Sequence, residues 1–312
     1  MKTAFVTGAN GQDGSYLCEL LLSQGYKVTG LIRPSGDGRT SRLVNCLGHE
    51  DFTLSYGDIT NPSLAYQVAN GHWDEIYLCA AVTQIMQSYY APILTFETNA
   101  LATARMLEAI GSISPKTKIY FASTSDMFGT MQEGTRANEE YPLAAQSPYA
   151  VAKIASHLLC RVYRRKGLFI SSGIQFNHES CRRGADFLTR KVGLQIRETG
   201  KVTLGNLDAM RDWHHAKDMA RGMWLSLQAD EPNEYVFSSG VSRSINELVQ
   251  SVCDYFNIPN KDVVSLVECE KRPWDVKYLC GDSSKAKDVL GWVPEISWEA
   301  LIEDVCKPRG TN

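Results

Sequence analysis

Thr3-Ala4-Phe5-Val6-Thr7-Gly8-Ala9-Asn10-Gly11-Gln12-Asp13-Gly14 opens the chain as an apolar strand that runs straight into a glycine turn. A helical pattern follows over 13–24. Strand, glycine turn and helix together form the context in which a dinucleotide is bound. Glycine lets the backbone approach a pyrophosphate closely, and the N–H groups and dipole of a helix N-terminus favour an anion. Gly8, Gly11 and Gly14 are spaced three apart, which departs from the usual Gly-x-Gly-x-x-Gly. A plain tight turn would use the same glycines, so the reading rests on what surrounds them.

Outward from that turn, apolar strands are expected at 26–32, 51–56, 75–80 and 118–122, with helical patterns between them. This alternation predicts an α/β fold with a doubly wound parallel sheet. Another strand is expected at 169–176, followed by a polar, basic loop through Arg182, Arg183 and Arg190. Amphipathic helices are expected near 187–198, 215–228, 245–256 and 284–290. The expected division is a Rossmann domain over 1–176 and a smaller mixed lobe over 177–312, with later segments returning to the sheet. No internal repeat or long linker stands out, and Lys307 to Asn312 look frayed.

The chain's 312 residues, 44% of them hydrophobic and 21% charged, describe an ordinary globular protein with a large core. A net charge of −3 gives no reason to expect a nucleic-acid or membrane partner. No apolar run approaches the roughly 20 residues of a membrane helix. The first strand leaves no room for a signal peptide, so a cytoplasmic protein is expected. Nine cysteines without a Cys-x-x-Cys pair favour free thiols, with Cys18 and Cys253 as core residues and no metal site.

Two further stretches carry chemistry. Ser147-Pro148-Tyr149-Ala150-Val151-Ala152-Lys153 sets a phenol and an ammonium four residues apart, on one face of a helix. A Lys⁺ beside a tyrosine stabilises the phenolate and lowers its pKa from about 10. Such a tyrosine can take a hydroxyl proton while hydride leaves the same carbon. Ser123-Thr124-Ser125-Asp126 follows the fifth strand, two dozen or so residues earlier. An NAD site usually carries an acid at the end of the second strand, whereas here that strand ends Leu31-Ile32-Arg33. A cation there suits a 2′-phosphate, so NADP is the expected cofactor. Asp58, beside Ile59 after the third strand, is read as a partner for the adenine amino group or as a helix cap.

Thr124-Ser125-Asp126 with Tyr149 and Lys153 resembles the extended short-chain dehydrogenase/reductase family. Three longer stretches narrow the likeness: Gly11-Gln12-Asp13-Gly14-Ser15-Tyr16-Leu17, Asn177-His178-Glu179-Ser180-Cys181-Arg182-Arg183-Gly184, and Leu204-Gly205-Asn206-Leu207-Asp208-Ala209 with Arg211-Asp212-Trp213. They resemble the GDP-mannose 4,6-dehydratase branch, from residue 3 to about 305. The resemblance implies that Tyr149 takes the proton from the sugar O4 while the C4 hydride passes to NADP⁺. A carboxylate then removes the C5 proton, water leaves C6 and the hydride returns there. The product is a 4-keto-6-deoxy sugar nucleotide, and the dinucleotide is regenerated each turnover.

By the same resemblance, Thr124 orients O4, Asp126 is the acid and Lys153 also holds the nicotinamide ribose. Gln12, Asp13, Ala80, Ala81, Thr83, His178 and Arg183 fall at cofactor positions. Asn177, Lys191, Arg211 and Arg272 fall where the nucleotide sugar is held, and Asp275 where its ribose is. Arginine suits phosphates through its planar fork of donors. A GDP-sugar substrate and a homodimer or homotetramer are implied, with the loop from Pro34 to Arg42 reaching a neighbouring copy. The family has glutamate where this chain has Asp126 and Asp275, and a tyrosine where it has Leu94. A retracted carboxylate keeps two other readings open: an NADP-linked 4-epimerase or 4-keto reductase, and a non-catalytic nucleotide-sugar-binding paralogue.

Overall fold

The computed structural model describes residues 1–34, 40–260, 263–267, 274–308 and 310. Among them the strands are β1 (Thr3–Thr7), β2 (Lys27–Ile32), β3 (Phe52–Tyr56), β4 (Glu75–Leu78), β5 (Lys118–Ala122), β6 (Ile170–Gln175), β7 (Asn177–Glu179), β8 (Val202–Leu204), β9 (Met210–His215), β10 (Glu234–Phe237), β11 (Ser242–Ser244) and β12 (Val264–Leu266). The helices are α1 (Gln12–Ser23), α2 (Pro62–Ala69), α3 (Ile85–Tyr90), α4 (Pro92–Phe96), α5 (Ala102–Ile113), α6 (Pro148–Arg165), α7 (Leu188–Thr199), α8 (Ala216–Gln228), α9 (Ile245–Phe256), α10 (Ser284–Leu290) and α11 (Trp298–Val305).

The main sheet has seven strands in the order β10-β6-β5-β4-β1-β2-β3, and every pairing in it is parallel. The doubly wound expectation therefore holds. Strand order reverses between β1 and β4. In such sheets the crevice at that point, beyond the carboxyl ends of the strands, takes the ligand. The fourth strand stops at Leu78, short of the expected Ala80, because Cys79 and Ala80 donate their N–H groups to Thr7 Oγ1 at 3.0 and 3.1 Å.

The sheet's two faces are buried by different helices. Leu17, Leu21 and Tyr16 of α1 pack with Met219 and Met223 of α8 and with Trp292. Met106 and Ile110 of α5 pack with Leu64 and Val68 of α2 on the other face. Each such side chain contributes roughly 1.5–3 kcal/mol by leaving water. Late segments also complete the early layer: β10 is one of the sheet's two edge strands, and Ala286 of α10 joins the same core. A second core joins Val192 and Ile196 of α7 to Leu248 and Val252 of α9 and Leu301 of α11. β7 leaves the main sheet directly after β6 and pairs with β9, matching His178 to His214, so it bridges the two cores.

The expectation of a basic loop is corrected by the structure. Arg182 and Arg190 are 3% and 2% exposed. Arg182 stacks 4.0 Å above the Tyr16 ring and donates to Glu19 at 2.6 Å, tying α1 to the segment after β7. Arg190 lies inside α7 and donates to the carbonyls of Val305, Lys307 and Pro308. Those bonds hold, as far as Pro308, a segment whose sequence predicts fraying.

Candidate active site

Gly8 sits at φ +69, and a Cβ there would stand 2.9 Å from the Ala80 backbone. A Cβ on Gly14 would meet the Gly8 carbonyl and stand 2.8 Å from Ala9 Cα. Both positions are therefore closed to any other residue. Gly11 donates to the Gly8 carbonyl at 2.8 Å and then begins α1 with no side chain to cap it. A helix start without a capping side chain, at the sheet's reversal point, fits a dinucleotide pyrophosphate.

The two residues that follow Gly11 are tied to β7. Gln12 donates to the His178 carbonyl at 3.0 Å and accepts from Ser180 Oγ at 2.8 Å. Asp13 meets His178 Nε2 at 3.0 Å, and His178 Nδ1 lies 2.7 Å from the Phe176 carbonyl. Burial works against both charges, yet the mutual attraction and hydrogen bond win. They hold Asp13 far below the usual carboxylate range and raise His178 above the usual histidine value. Asp13 and His178, expected at the cofactor, are thus also partners of each other.

Arg33 is exposed at the end of β2. Asp58 Oδ1 accepts from the Thr60 N–H and hydroxyl at 2.9 and 2.8 Å. The cap of α2 is Asn61 instead, so the helix-cap reading of Asp58 is corrected. Ile59, Ala80 and Lys153 line a small void with Asn99, and Ala81 is half-buried in the loop after β4. Sequence reasoning missed Asn99, which lies in a π-helical turn (Glu97–Leu101) between α4 and α5. Its side chain accepts from Val82 N–H at 2.8 Å and donates to the Val82 carbonyl at 2.9 Å, which fixes the loop carrying Ala80 to Thr83.

The chemistry converges at the ends of β5 and α6. Thr124 follows β5 and caps a single 3₁₀ turn (Ser125–Phe128) that carries Asp126. Its hydroxyl donates to Asp126 Oδ2 at 3.3 Å. Ser147 caps α6 by accepting from Ala150 N–H at 3.1 Å, with Pro148 in the first turn. That cap sets the start of the helix and so buries Tyr149 and Lys153 together. Lys153 donates to the Ala122 carbonyl at 2.7 Å. Burial pulls its ammonium down to about 8. The expected lowering of Tyr149 is not found. Burial, then the charge of Asp126, push the phenol above its ordinary value, and the Thr124 hydroxyl only partly opposes them.

A cleft of about 450 Å³ opens beside these groups. It is lined by Asp126 and Ser147, by Asn177 and Glu179 of β7, and by Arg183, Lys191, Arg211 and Asp275. Thr83, expected at the cofactor, also lines it and is exposed. Arg211 and Asp275 form an ion pair at 3.0 Å, and Asn206 donates to Asp275 at 3.4 Å. Leu94 lies away from the cleft lining and is 42% exposed. Glu179 belongs to the Asn177–Gly184 stretch, yet sequence reasoning assigns it no role. Its one signal is the alternation of a strand, which sets residues 177 and 179 on one face. Arg272 lies outside the described residues.

A doubly wound sheet, an uncapped glycine turn and a Tyr-x-x-x-Lys helix whose cap, Ser147, lines a cleft define an extended short-chain dehydrogenase/reductase. The sequence profile of one branch, GDP-mannose 4,6 dehydratase, matches residues 5–305. The chain belongs to that family. It is 38% identical to a GDP-mannose 4,6-dehydratase of Yersinia enterocolitica, over 98% of this chain and 92% of that one. It is 39% identical to GDP-mannose 4,6 dehydratase 2 of Arabidopsis thaliana, over 97% and 85%. Among solved structures it is similar to a double mutant of DesIV, a dTDP-glucose 4,6-dehydratase of Streptomyces venezuelae. The TM-score is 0.90 at 23% identity, covering 98% of each chain. It is also similar to a UDP-glucuronic acid 4-epimerase of Bacillus cereus, with a TM-score of 0.87 at 24% identity over 97% and 98%. At those identities the structural likeness is one of fold.

Proposed function

We propose that this protein is a GDP-mannose 4,6-dehydratase, converting a GDP-hexose to its 4-keto-6-deoxy form with a nicotinamide dinucleotide. The observation that carries the reading is the convergence of Thr124, Asp126 and Tyr149 beside a cleft lined by Asn177, Lys191, Arg211 and Asp275, in a chain of that family. The dinucleotide, which solved neighbours carry as NAD, supplies a reversible hydride store. Gly8, Gly11 and Gly14 bring the backbone to its pyrophosphate, and Arg33 favours the 2′-phosphate of NADP over NAD. Tyr149 accepts the O4 proton, Thr124 orients that hydroxyl, and Lys153 keeps a positive charge behind the phenol. Asp126 takes the C5 proton, which lets hydroxide depart from C6, and the proton and hydroxide together make up the water lost. Asn177, Lys191, Arg211 and Arg272 bind the diphosphate, and Asp275 the guanosine ribose. The protein acts as a cytoplasmic homo-oligomer in this reading.

The shorter acid at Asp126 favours a second reading, an epimerase or 4-keto reductase on a GDP-sugar, because those reactions need Tyr149 but no base at C5. Incubation with GDP-mannose and NADP⁺ followed by mass spectrometry separates the two. Loss of one water is expected, whereas an isomer or a net redox change would establish the second reading.

A further inference from the structure

The cleft holds a buried carboxylate among its cations. Glu179 is 3% exposed and lines the cleft with Arg183, Lys191 and Arg211. A negative charge there opposes the binding of any anion, at a cost that grows as water is excluded. Its contacts supply the offsetting role. Glu179 Oε2 accepts from Thr189 Oγ1 at 2.7 Å and faces Arg183 Nε at 3.4 Å. On its flat side the Arg183 guanidinium lies 3.9 Å from the Phe187 ring. The ring sets the plane of the guanidinium, and the carboxylate faces its stem-side edge as an ion-pair partner without a hydrogen bond from the buried Nε. The four Nη–H donors are then left as a fork that matches a phosphate.

We propose that Glu179 is a positioning residue, which with Phe187 preforms Arg183 as a clamp for a diphosphate. The diphosphate belongs either to the nucleotide sugar or to the dinucleotide, and the inference rests on the cleft serving those ligands as proposed for the reaction. Preorganisation of this kind improves binding by removing the ordering cost of a long side chain. It leaves the reacting atoms alone, so turnover at saturation stays near native.

The test is a double-mutant cycle read by calorimetry, with GDP and NADP⁺ titrated separately into Glu179→Gln, Arg183→Ala and the double variant. Glutamine keeps the size and an acceptor for Thr189 but removes the charge. Glu179→Gln should weaken one of the two ligands by about tenfold or more. Its kcat should stay within about threefold of native, and the double variant should bind no more weakly than Arg183→Ala alone. Unchanged binding of both ligands, or losses that multiply in the double variant, would overturn the proposal. So would an equal loss in Thr189→Ala, which would make Glu179 an anchor for α7. If Glu179→Gln does not fold, Phe187→Ala carries the test and should weaken the same ligand as Arg183→Ala. Native affinity for both ligands in Phe187→Ala would then refute the clamp. The titrations are readable without turnover, so failure to dehydrate GDP-mannose sinks the proposed reaction and leaves this result standing.

Discussion

Asp126 reaches the cleft from a single 3₁₀ turn, with its carboxylate 3.3 Å from the Thr124 hydroxyl. Asp126→Asn keeps the size and removes the basicity. It should bind GDP-mannose almost as the native protein does and lose roughly 100- to 10,000-fold in turnover, the range for a lost general base. Solvent deuterium should enter C5 with the native protein and not with the variant. Tyr149→Phe should block the first oxidation, so no NADPH absorbance appears; native turnover in Asp126→Asn would exclude Asp126 as the base. The Asp13–His178 pair makes a pH-dependent contribution to stability. His178 is raised in the folded state, so its share is full below the ordinary histidine value of about 6.5 and fades as pH rises through the raised value. Asp13 is lowered, so its share is present above about 3.9 and is lost only in stronger acid. His178→Gln should therefore cost about 2 kcal/mol at pH 5.5, the scale of a charged hydrogen bond, and clearly less at pH 9 by urea unfolding. Tyr149 and Lys153 are legible as a pair because their spacing sets them on one helix face, whereas the roles of Thr124 and Asp126 rest on the family resemblance. The Asp13–His178 pair spans 165 residues and has no local spacing to announce it. The rise at Tyr149 is equally hidden, because it comes from burial and from the charge of Asp126, and neither is written in the Tyr-x-x-x-Lys spacing.

At the scale of elements, a π-helical turn at Glu97–Leu101 interrupts the helical run between α4 and α5. It presents Asn99, which satisfies both backbone groups of Val82 and accepts Ser156 Oγ on its own carbonyl at 2.6 Å. Asn99→Ala would orphan a buried N–H and a buried C=O together. A loss of about 2–4 kcal/mol in chemical denaturation is expected, at roughly 1–3 kcal/mol per unsatisfied group. Dinucleotide affinity should fall with it, since the freed loop carries Ala80 to Thr83; unchanged unfolding would show that Asn99 fixes nothing. The long amphipathic helices and the parallel strands are readable from their periods. α11 is not: at eight residues its buried Leu301, Ile302 and Val305 complete barely two turns. α3 and α4, at six and five residues, are shorter still.

Across the whole molecule, α6 buries Tyr149 and Lys153 but leaves Val151, Leu158 and Val162 about 45%, 43% and 45% exposed. Those positions share one helical face, and α5 packs alongside. A second copy covering that face is expected, so light scattering at micromolar concentration should give at least a dimer. Leu158→Glu with Val162→Glu should shift it to the monomer, and a native monomer would refute the idea. The loop from Pro34 to Arg42, which also suggests an oligomer, is described only at Pro34 and from Thr40 onward. The return of late segments to the sheet is legible in the sequence only in outline, because β10 is four residues long and its partner β6 ends 59 positions earlier. That return governs the order in which the nascent chain can finish folding. Until residue 237 has left the ribosome, β6 stands as an open hydrogen-bonding edge. Arg161 and Arg164 wait for the Glu234 carboxylate that they hold at 2.6 and 3.1 Å. Translation of nearly a quarter of the chain thus separates the making of the catalytic helix from the arrival of the strand that closes its sheet, an interval in which a chaperone, or another unfinished chain, can occupy the same edge.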